Sequence, residues 1–157
     1  MSHPLHPIIV HFPIALLITA ILFEVLELVL KQDFLRKAST WLLGLGFLGG
    51  LVATATGVLA EEAAEDSGVP ESAIELHESL AFATLGAFAL MIAIRWLQRK
   101  RNIPHNVLLA VGLIGVALLG LTGYFGGDLV YRYGAGVDRA ALTSKPAAES
   151  ASPHEVP

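Results

Sequence analysis

The sequence contains no cysteine among its 157 residues. This absence excludes disulfides, thiolate zinc or iron–sulfur sites, and the covalent attachment of c-type haem. Charged residues are also scarce, at 15% of the chain against about 25% in ordinary soluble domains. The net charge of −4 is mild, and no basic patch of the kind that binds nucleic acid is present. The chain also lacks a nucleophile–base pair, a phosphate loop and paired buried carboxylates, which favours an electron-transfer or binding protein over an enzyme.

Apolar sequence fills the chain instead, with 54% hydrophobic residues and a mean hydropathy of +0.64. It is concentrated in four runs, each near the roughly 20 residues that span a bilayer. We expect an all-α, four-helix transmembrane bundle within residues 1–137, with helices over residues 8–30, 39–60, 73–97 and 106–126. No basic residue precedes the first run, so we interpret that run as a retained helix and not as a signal peptide. Residues 138–157, rich in Ala, Ser and Pro, are predicted to form a disordered tail.

The basic residues predict the orientation of the chain in the membrane. Lys and Arg cluster in the two short connections at residues 31–37 and 95–101, and such loops face the cytoplasm. Both termini and the acidic connection at residues 61–75 then face the opposite side. In a Gram-negative bacterium this predicts a multi-pass inner-membrane protein whose termini are periplasmic.

An internal repeat is the second pattern. When the chain is shifted against itself by 66 residues, His11 superimposes on His77, and three further matches follow without a gap. They are Gly46 with Gly112, Gly49 with Gly115, and Thr56–Gly57 with Thr122–Gly123. Two copies of a helical hairpin have the same orientation, so the bundle is predicted to consist of two parallel hairpin repeats. The two histidines would then lie at equal depth near the outer surface.

An ionisable residue within a spanning segment is a functional hypothesis by default. We expect His11 and His77 to be the axial ligands of a b-type haem, which needs no cysteine. Gly57 and Gly123 would leave space for the porphyrin. Arg132 would bind the propionates, with Tyr131 as a hydrogen-bond donor. With both iron positions filled, the chemistry would be electron transfer, either as a carrier or as a subunit of a redox complex.

Several alternatives stay open. The two imidazoles could be interfacial side chains of a structural subunit, or they could bind a quinone headgroup. A Cu or Zn ion could also take them together with His3 or His6. Besides the lipid bilayer, the partners considered are other redox subunits, further copies of the chain, and a basic soluble periplasmic cytochrome that docks on the acidic connection.

Several other polar residues are expected to lie outside the site. Glu24 and Glu27 fall near the cytoplasmic end of the first helix and are predicted to be interfacial. His105 and His154 are not expected to contribute to a site. Asp128 and Arg132 are four residues apart, a spacing that favours a pair on one helix face.

The sequence resembles a known family at both ends of its apolar part. The matching residues are His3-Pro4, His11-Phe12-Pro13, His77 at the opening of the third helix, and Gly127-Asp128-Leu129-Val130-Tyr131 followed by Gly134, Gly136 and Val137. The chain is therefore similar to the domain-of-unknown-function 2231 family of predicted bacterial inner-membrane proteins. The resemblance implies a four-helix membrane topology and draws attention to the same histidines, but it implies no activity. Gly134 and Gly136 are expected to permit turns in a segment that returns along the outer surface.

Overall fold

The computed structural model describes residues 5–137, and every regular element in that range is a helix. The helices are α1 (Leu5–Ile9), α2 (His11–Leu30), α3 (Asp33–Val58), α4 (Glu61–Asp66), α5 (Glu71–Leu97) and α6 (His105–Tyr131). Four segments are long and apolar enough to cross a membrane: His6–Leu30, Asp33–Val58, Glu71–Leu97 and His105–Tyr131. This confirms the predicted all-α bundle with four transmembrane helices. The predicted tail at residues 138–157 lies outside the described residues.

The first span is interrupted near its start because of Pro13. Proline has no backbone N–H, so Pro13 cannot donate to the carbonyl of Ile9, four residues earlier. α1 accordingly ends at Ile9 and α2 begins at His11. The Val10 N–H donates to the His6 carbonyl at 3.1 Å and the Ile14 N–H donates to the Val10 carbonyl at 3.2 Å. These bonds keep α1 and α2 in one helical direction, so His6 belongs to the first span.

Helices α3 and α6 are both longer than predicted. α3 begins at Asp33, because most of the basic connection forms its first turns, where Asp33 complements the helix dipole and lies 3.6 Å from Arg36. Only Lys31 and Gln32 separate α2 from α3, and Lys31 adopts a left-handed φ of 50°. α6 continues through Gly126 and Gly127 to Tyr131, since glycine is tolerated inside membrane helices.

The acidic connection contains the short helix α4, where a solvated loop is expected. Its carboxylates remain largely exposed, whereas Val69, in the turn that follows, is buried with 4% of its surface exposed.

At the end of the described chain, Gly134 and Gly136 have φ angles of 77° and 73°. Both lie in the left-handed region, so these two glycines permit turns as predicted.

The four long helices form a closed bundle. α2 packs along α3 and α5 packs along α6, while contacts of α3 with α5 and of α2 with α6 join the two hairpins. The buried apolar core is one cluster with members from every long helix: Leu17, Ala20, Ile21, Leu43, Phe88, Met91, Ile94 and Leu108. Outside this core, large apolar side chains such as Trp41 and Leu48 are exposed, as expected of surfaces that face lipid.

Glycines bring the helices of each hairpin together. A β-carbon on Gly46 would lie 2.8 Å from Leu17 Cγ, and one on Gly115 would lie 3.0 Å from Phe88 Cζ. Real side chains do not approach this closely, so Leu17 and Phe88 occupy the space that these glycines leave. Small residues at helix contacts are the usual basis of helix association in lipid.

The buried residues reveal an internal repeat in a register different from the predicted one. Gly46 with Leu17 in the first hairpin corresponds to Gly115 with Phe88 in the second. In α3 and α6 the corresponding buried residues lie 69 positions apart: Ser39 and Leu108, Leu43 and Gly112, Gly46 and Gly115. In α2 and α5 they lie 71 positions apart: Pro13 and Thr84, Leu17 and Phe88, Ala20 and Met91.

This register corrects the shift of 66 residues. The shift between α3 and α6 is 69 residues, three more than predicted, and the shift between α2 and α5 is 71 residues, five more than predicted. Three residues are close to one helical turn, so the face is nearly preserved, whereas five residues rotate a side chain by about 140° to another face. The histidine that corresponds to His77 is therefore His6, and His11 lies on a different face of its helix.

We expect Gly46→Val to destabilise the bundle, because its side chain would overlap Leu17, and overpacking costs about 1–3 kcal/mol. The matched control is Gly44→Val on the same helix, where no atom lies within 4 Å of the added β-carbon. Thermal unfolding in detergent measures both. Equal melting temperatures for the two variants would contradict the packing described above.

Candidate functional site

Two histidine rings meet where the two hairpins join at one end of the bundle. The ring centroids of His6 and His77 are 6.2 Å apart, and the ring planes are nearly perpendicular at 87°. His6 comes from α1 and His77 from the start of α5, and both side chains are half-buried. We call this the histidine end of the bundle; it also carries α4 and the acidic connection.

Helix α3 holds the ring of His6. The His6 Nδ1 lies 2.8 Å from the carbonyl oxygen of Ala53 and 3.4 Å from Thr56 Oγ1. The ring also rests on Gly57, where an added β-carbon would lie 3.1 Å from His6 Cε1. Gly57 therefore makes room for an imidazole, whereas the sequence predicted that it makes room for a porphyrin.

Helix α6 holds the ring of His77 in the same manner. The His77 Nδ1 lies 3.0 Å from the carbonyl oxygen of Thr122. A β-carbon on Gly126 would lie 2.9 Å from His77 Cε1. Thr122 Oγ1 is in turn 3.0 Å from Thr84 Oγ1, which links α6 back to α5.

The two hairpins thus use one arrangement twice. In each, a histidine pairs through Nδ1 with a backbone carbonyl, and its ring covers a glycine four residues after that carbonyl. Ala53 and Gly57 in α3 correspond to Thr122 and Gly126 in α6. The arrangement therefore follows the repeat of the hairpins, and it brings His77 beside His6. The haem-binding residues expected from the sequence stay a prediction.

The carbonyl partners determine which ring nitrogen carries the proton. A carbonyl oxygen only accepts hydrogen bonds, so Nδ1 of each histidine must be the donor. In a neutral imidazole the other nitrogen, Nε2, then has a free lone pair. A histidine that donates one ring N–H to a backbone carbonyl is oriented for binding a metal through its other nitrogen.

The remaining predicted site residues are distributed around this end of the bundle. The His11 side chain is exposed, and the ring beside His77 is that of His6. Gly123 faces open space, with no atom within 4 Å of an added β-carbon. Tyr131 is 92% exposed. Arg132 is also exposed and lies 3.7 Å from Asp128, so the predicted pair on one helix face is present.

An open groove of about 340 Å³ runs along α6 beside this site. Its lining residues are Gly123, Tyr124, Gly127, Asp128 and Tyr131. Two of the predicted site residues, Gly123 and Tyr131, therefore share one surface that faces away from the bundle core.

Three residues of this arrangement, His6, Ala53 and Gly126, are not among the haem-binding residues expected from the sequence. His6 lies between Pro4 and Pro7 in a polar lead that resembles a solvated segment. A carbonyl partner carries no side-chain signal, so Ala53 could not be identified. Gly126 falls opposite Ala60 in the shift of 66 residues, so that shift does not select it.

We expect the His77 ring to occupy a single tautomer, with the proton on Nδ1 and a free Nε2, because only Nδ1 faces an acceptor. Side-chain ¹⁵N spectra of the protein in detergent report this tautomer directly. Gly126→Val should release the ring and produce a tautomer mixture, since its β-carbon would occupy the position of Cε1. Gly127→Val, which meets no atom within 4 Å, should leave the spectrum unchanged; a mixture in the unmodified protein would contradict the assigned geometry.

A family model described as a predicted membrane protein (DUF2231) matches residues 2–139. The chain therefore belongs to that family, as its terminal motifs suggest. No curated protein and no solved structure matches the chain.

Proposed function

We propose that this member of the family is a membrane electron carrier that binds one b-type haem between His6 and His77. The observation that carries the proposal is the pairing of two imidazoles from two hairpins, each fixed through Nδ1 and each with Nε2 free. The proposed ligand pair differs from the His11–His77 pair expected from the sequence, because His6 is the ring that adjoins His77.

The separation of the rings, which is also that of an edge-to-face ring contact, would accommodate a single metal atom bonded to both imidazoles. A metal bonded at about 2 Å to one nitrogen of each imidazole places the two ring centroids roughly 6 Å apart. The observed separation is 6.2 Å. Perpendicular ring planes are compatible with this arrangement, because each ring can rotate about its own metal–nitrogen bond.

The number of ligands favours haem over a bare metal ion. Among residues 5–137, no group of three or more His, Asp or Glu side chains is placed to hold an ion, whereas structural Zn sites use four protein ligands. Haem iron receives four nitrogens from the porphyrin and needs only two from the protein. A Zn or Cu site would depend on His3, which lies outside the described residues.

The surrounding residues have roles in this proposal that follow from their placement. Gly57 and Gly126 seat the two imidazoles, and Ala53 and Thr122 orient them through their carbonyls. Gly123 and Tyr131 line the open groove that faces away from the bundle core, so this proposal gives them no contact with the haem. The exposed Arg132 would bind a propionate. Since both axial positions are occupied by protein, the bound haem would transfer electrons and would not activate oxygen.

Visible spectroscopy of the purified, haem-supplemented protein tests the proposal. We expect Soret and α bands in the reduced-minus-oxidised spectrum, and a loss of haem affinity of at least about tenfold in His6→Ala and in His77→Ala, since even indirect changes around a metal ligand cost 10–100-fold. His11→Ala is the matched control and should retain the bands, because its side chain is exposed.

Two results would contradict this function. If the protein takes up no haem while its fold is intact, it is not a cytochrome. If His11→Ala abolishes the bands and His6→Ala retains them, the ligand pair predicted from sequence is correct and the pair assigned from the geometry is wrong.

A quinol is a second candidate occupant, favoured by the tautomer of the two rings. With Nδ1 bound to a carbonyl, the neutral Nε2 accepts a hydrogen bond and does not donate one. Such a pair would bind the two hydroxyl groups of a quinol in preference to the carbonyls of a quinone. A colourless protein that binds a soluble quinol analogue, but loses that binding in His6→Ala and in His77→Ala, would support this alternative.

The acidic surface beside the site suggests a soluble partner. Several exposed carboxylates on α4 and the start of α5 lie at the histidine end: Glu62, Glu65, Asp66, Glu71 and Glu75. A surface of one charge attracts oppositely charged proteins and accelerates their association. We propose that a basic soluble electron-transfer protein docks here.

We also propose that the histidine end faces the periplasm of a bacterial inner membrane, because the basic connections lie at the other end. The absence of native cysteine allows a direct test. Ser67→Cys, at the histidine end, should react with a membrane-impermeant maleimide in cells whose outer membrane is permeable to the reagent. Asn102→Cys, exposed at the opposite end, should react only after the inner membrane is permeabilised; the reverse pattern would invert the topology.

A further inference from the structure

A second polar cluster joins the same four helices at the opposite end of the bundle. Its members are Glu24 and Glu27 from α2, Thr40 from α3, Arg95 from α5 and His105 from α6. We call it the carboxylate cluster. Glu24 is completely buried, with none of its surface exposed, although it lies within a transmembrane segment.

Arg95 connects three helices within this cluster. Its Nη2 lies 2.5 Å from Glu24 Oε1. Its Nη1 donates to Thr40 Oγ1 at 2.7 Å and approaches the carbonyl of Arg36 at 3.4 Å. Arg95 therefore contacts Glu24 Oε1 directly, whereas the buried Glu24 Oε2 has no hydrogen-bond donor.

His105 lies between the two carboxylates. Its Nε2 is 3.6 Å from Glu24 Oε2 and 3.9 Å from Glu27 Oε2. This nitrogen is buried and has no hydrogen-bond partner. Three titratable groups therefore face one another, and a buried nitrogen with no partner points into the space between two carboxylates.

The charges in the cluster do not balance when His105 is neutral. Two carboxylates then face one guanidinium. Arg95 pairs with the buried Glu24, so the uncompensated charge lies on Glu27, whose side chain is 21% exposed. The other charged side chains near this end do not compensate it, since Arg36 pairs with Asp33 on the exposed surface and Lys31, Lys37, Arg99, Lys100 and Arg101 are exposed. The buried atoms Glu24 Oε2 and His105 Nε2 both lack a partner and lie 3.6 Å apart, so a proton between them would satisfy both.

We propose that the carboxylate cluster binds one exchangeable proton, shared between His105 Nε2 and the carboxylates of Glu24 and Glu27. Uptake of this proton brings the net charge of the cluster to zero and links α6 to α2. The proton can enter from solvent at this end, because the side chains of His105 and Glu27 are 28% and 21% exposed. Glu24 has no such access and exchanges through its two neighbours.

Arg95 contacts only one side of the Glu24 carboxylate. Its guanidinium lies against Oε1, whereas Oε2 faces His105 and has no hydrogen-bond donor. Glu27 Oε2, 3.9 Å from the same nitrogen of His105, is the second acceptor. The cluster acts as one unit, in which the protonation of one member depends on the charge of the others.

The test uses the full chain in lipid nanodiscs, with side-chain ¹⁵N spectra of His105 recorded between roughly pH 4 and pH 9. In Glu27→Gln, His105 should need at least about tenfold more protons for half-saturation, because an opposite charge within 4–6 Å favours the charged imidazole. The Glu27 side chain is 21% exposed, so the variant should fold. Glu62→Gln, an exposed acid at the histidine end, is the matched control and should titrate as the unmodified protein does.

Infrared difference spectroscopy of a variant without the imidazole, His105→Gln, is a second test of where the proton binds. In His105→Gln, the proton should move to a carboxylate, and a carboxylic acid C=O band should appear in the infrared difference spectrum between low and high pH. The proposal is overturned if His105 titrates identically in Glu27→Gln and in the unmodified protein, or if it does not titrate in this range. It stands independently of the haem proposal, since neither measurement involves His6 or His77.

Discussion

The bilayer imposes the constraint on which this structure depends: a polar group inside the bundle must find its partner within the protein, because lipid offers none. Apolar packing alone does not select which helices meet, since lipid tails are as apolar as leucine. The side chains of His6 and His77 at one end, and of Glu24 and Arg95 at the other, each reach a different helix. These contacts determine which helices lie next to each other and how the helices are aligned along the bundle axis.

Glycines allow the helices to approach closely enough for contacts between them to form. Gly46 and Gly115 bring the two helices of each hairpin close enough for Leu17 and Phe88 to fill the interface. Near the histidine end, Gly57 and Gly126 occupy the same helices and give the same space to imidazole rings. Glycines at helix contacts therefore allow close packing in the middle of the bundle and orient the imidazole rings at its end.

Much of the architecture could be predicted from the sequence, because hydropathy alone identifies spans of bilayer length. The site was only partly predictable. Helices rich in Leu, Ala and Gly align well in several registers, so a shift of 66 residues looks as good as the shifts of 69 and 71 residues that relate the buried positions. The shift of 66 residues matches His11 with His77, whereas in the structure the ring beside His77 is that of His6. Glu24 and His105 were expected to lie outside any site, because helical periodicity does not reveal which two faces from distant spans will meet.

The repeat also shows why the two ends differ chemically. His6 and His77 lie 71 positions apart and so do Glu24 and Arg95, which makes each pair equivalent under the pseudo-two-fold relation of the hairpins. Two histidines at equivalent positions, each pairing through Nδ1 with a carbonyl of its neighbouring helix, offer Nε2 to the ligand that we propose for this end. Two opposite charges at equivalent positions pair with each other and join the hairpins. Glu27 and His105, which have no such symmetry, add the further groups on which the proposed proton site rests.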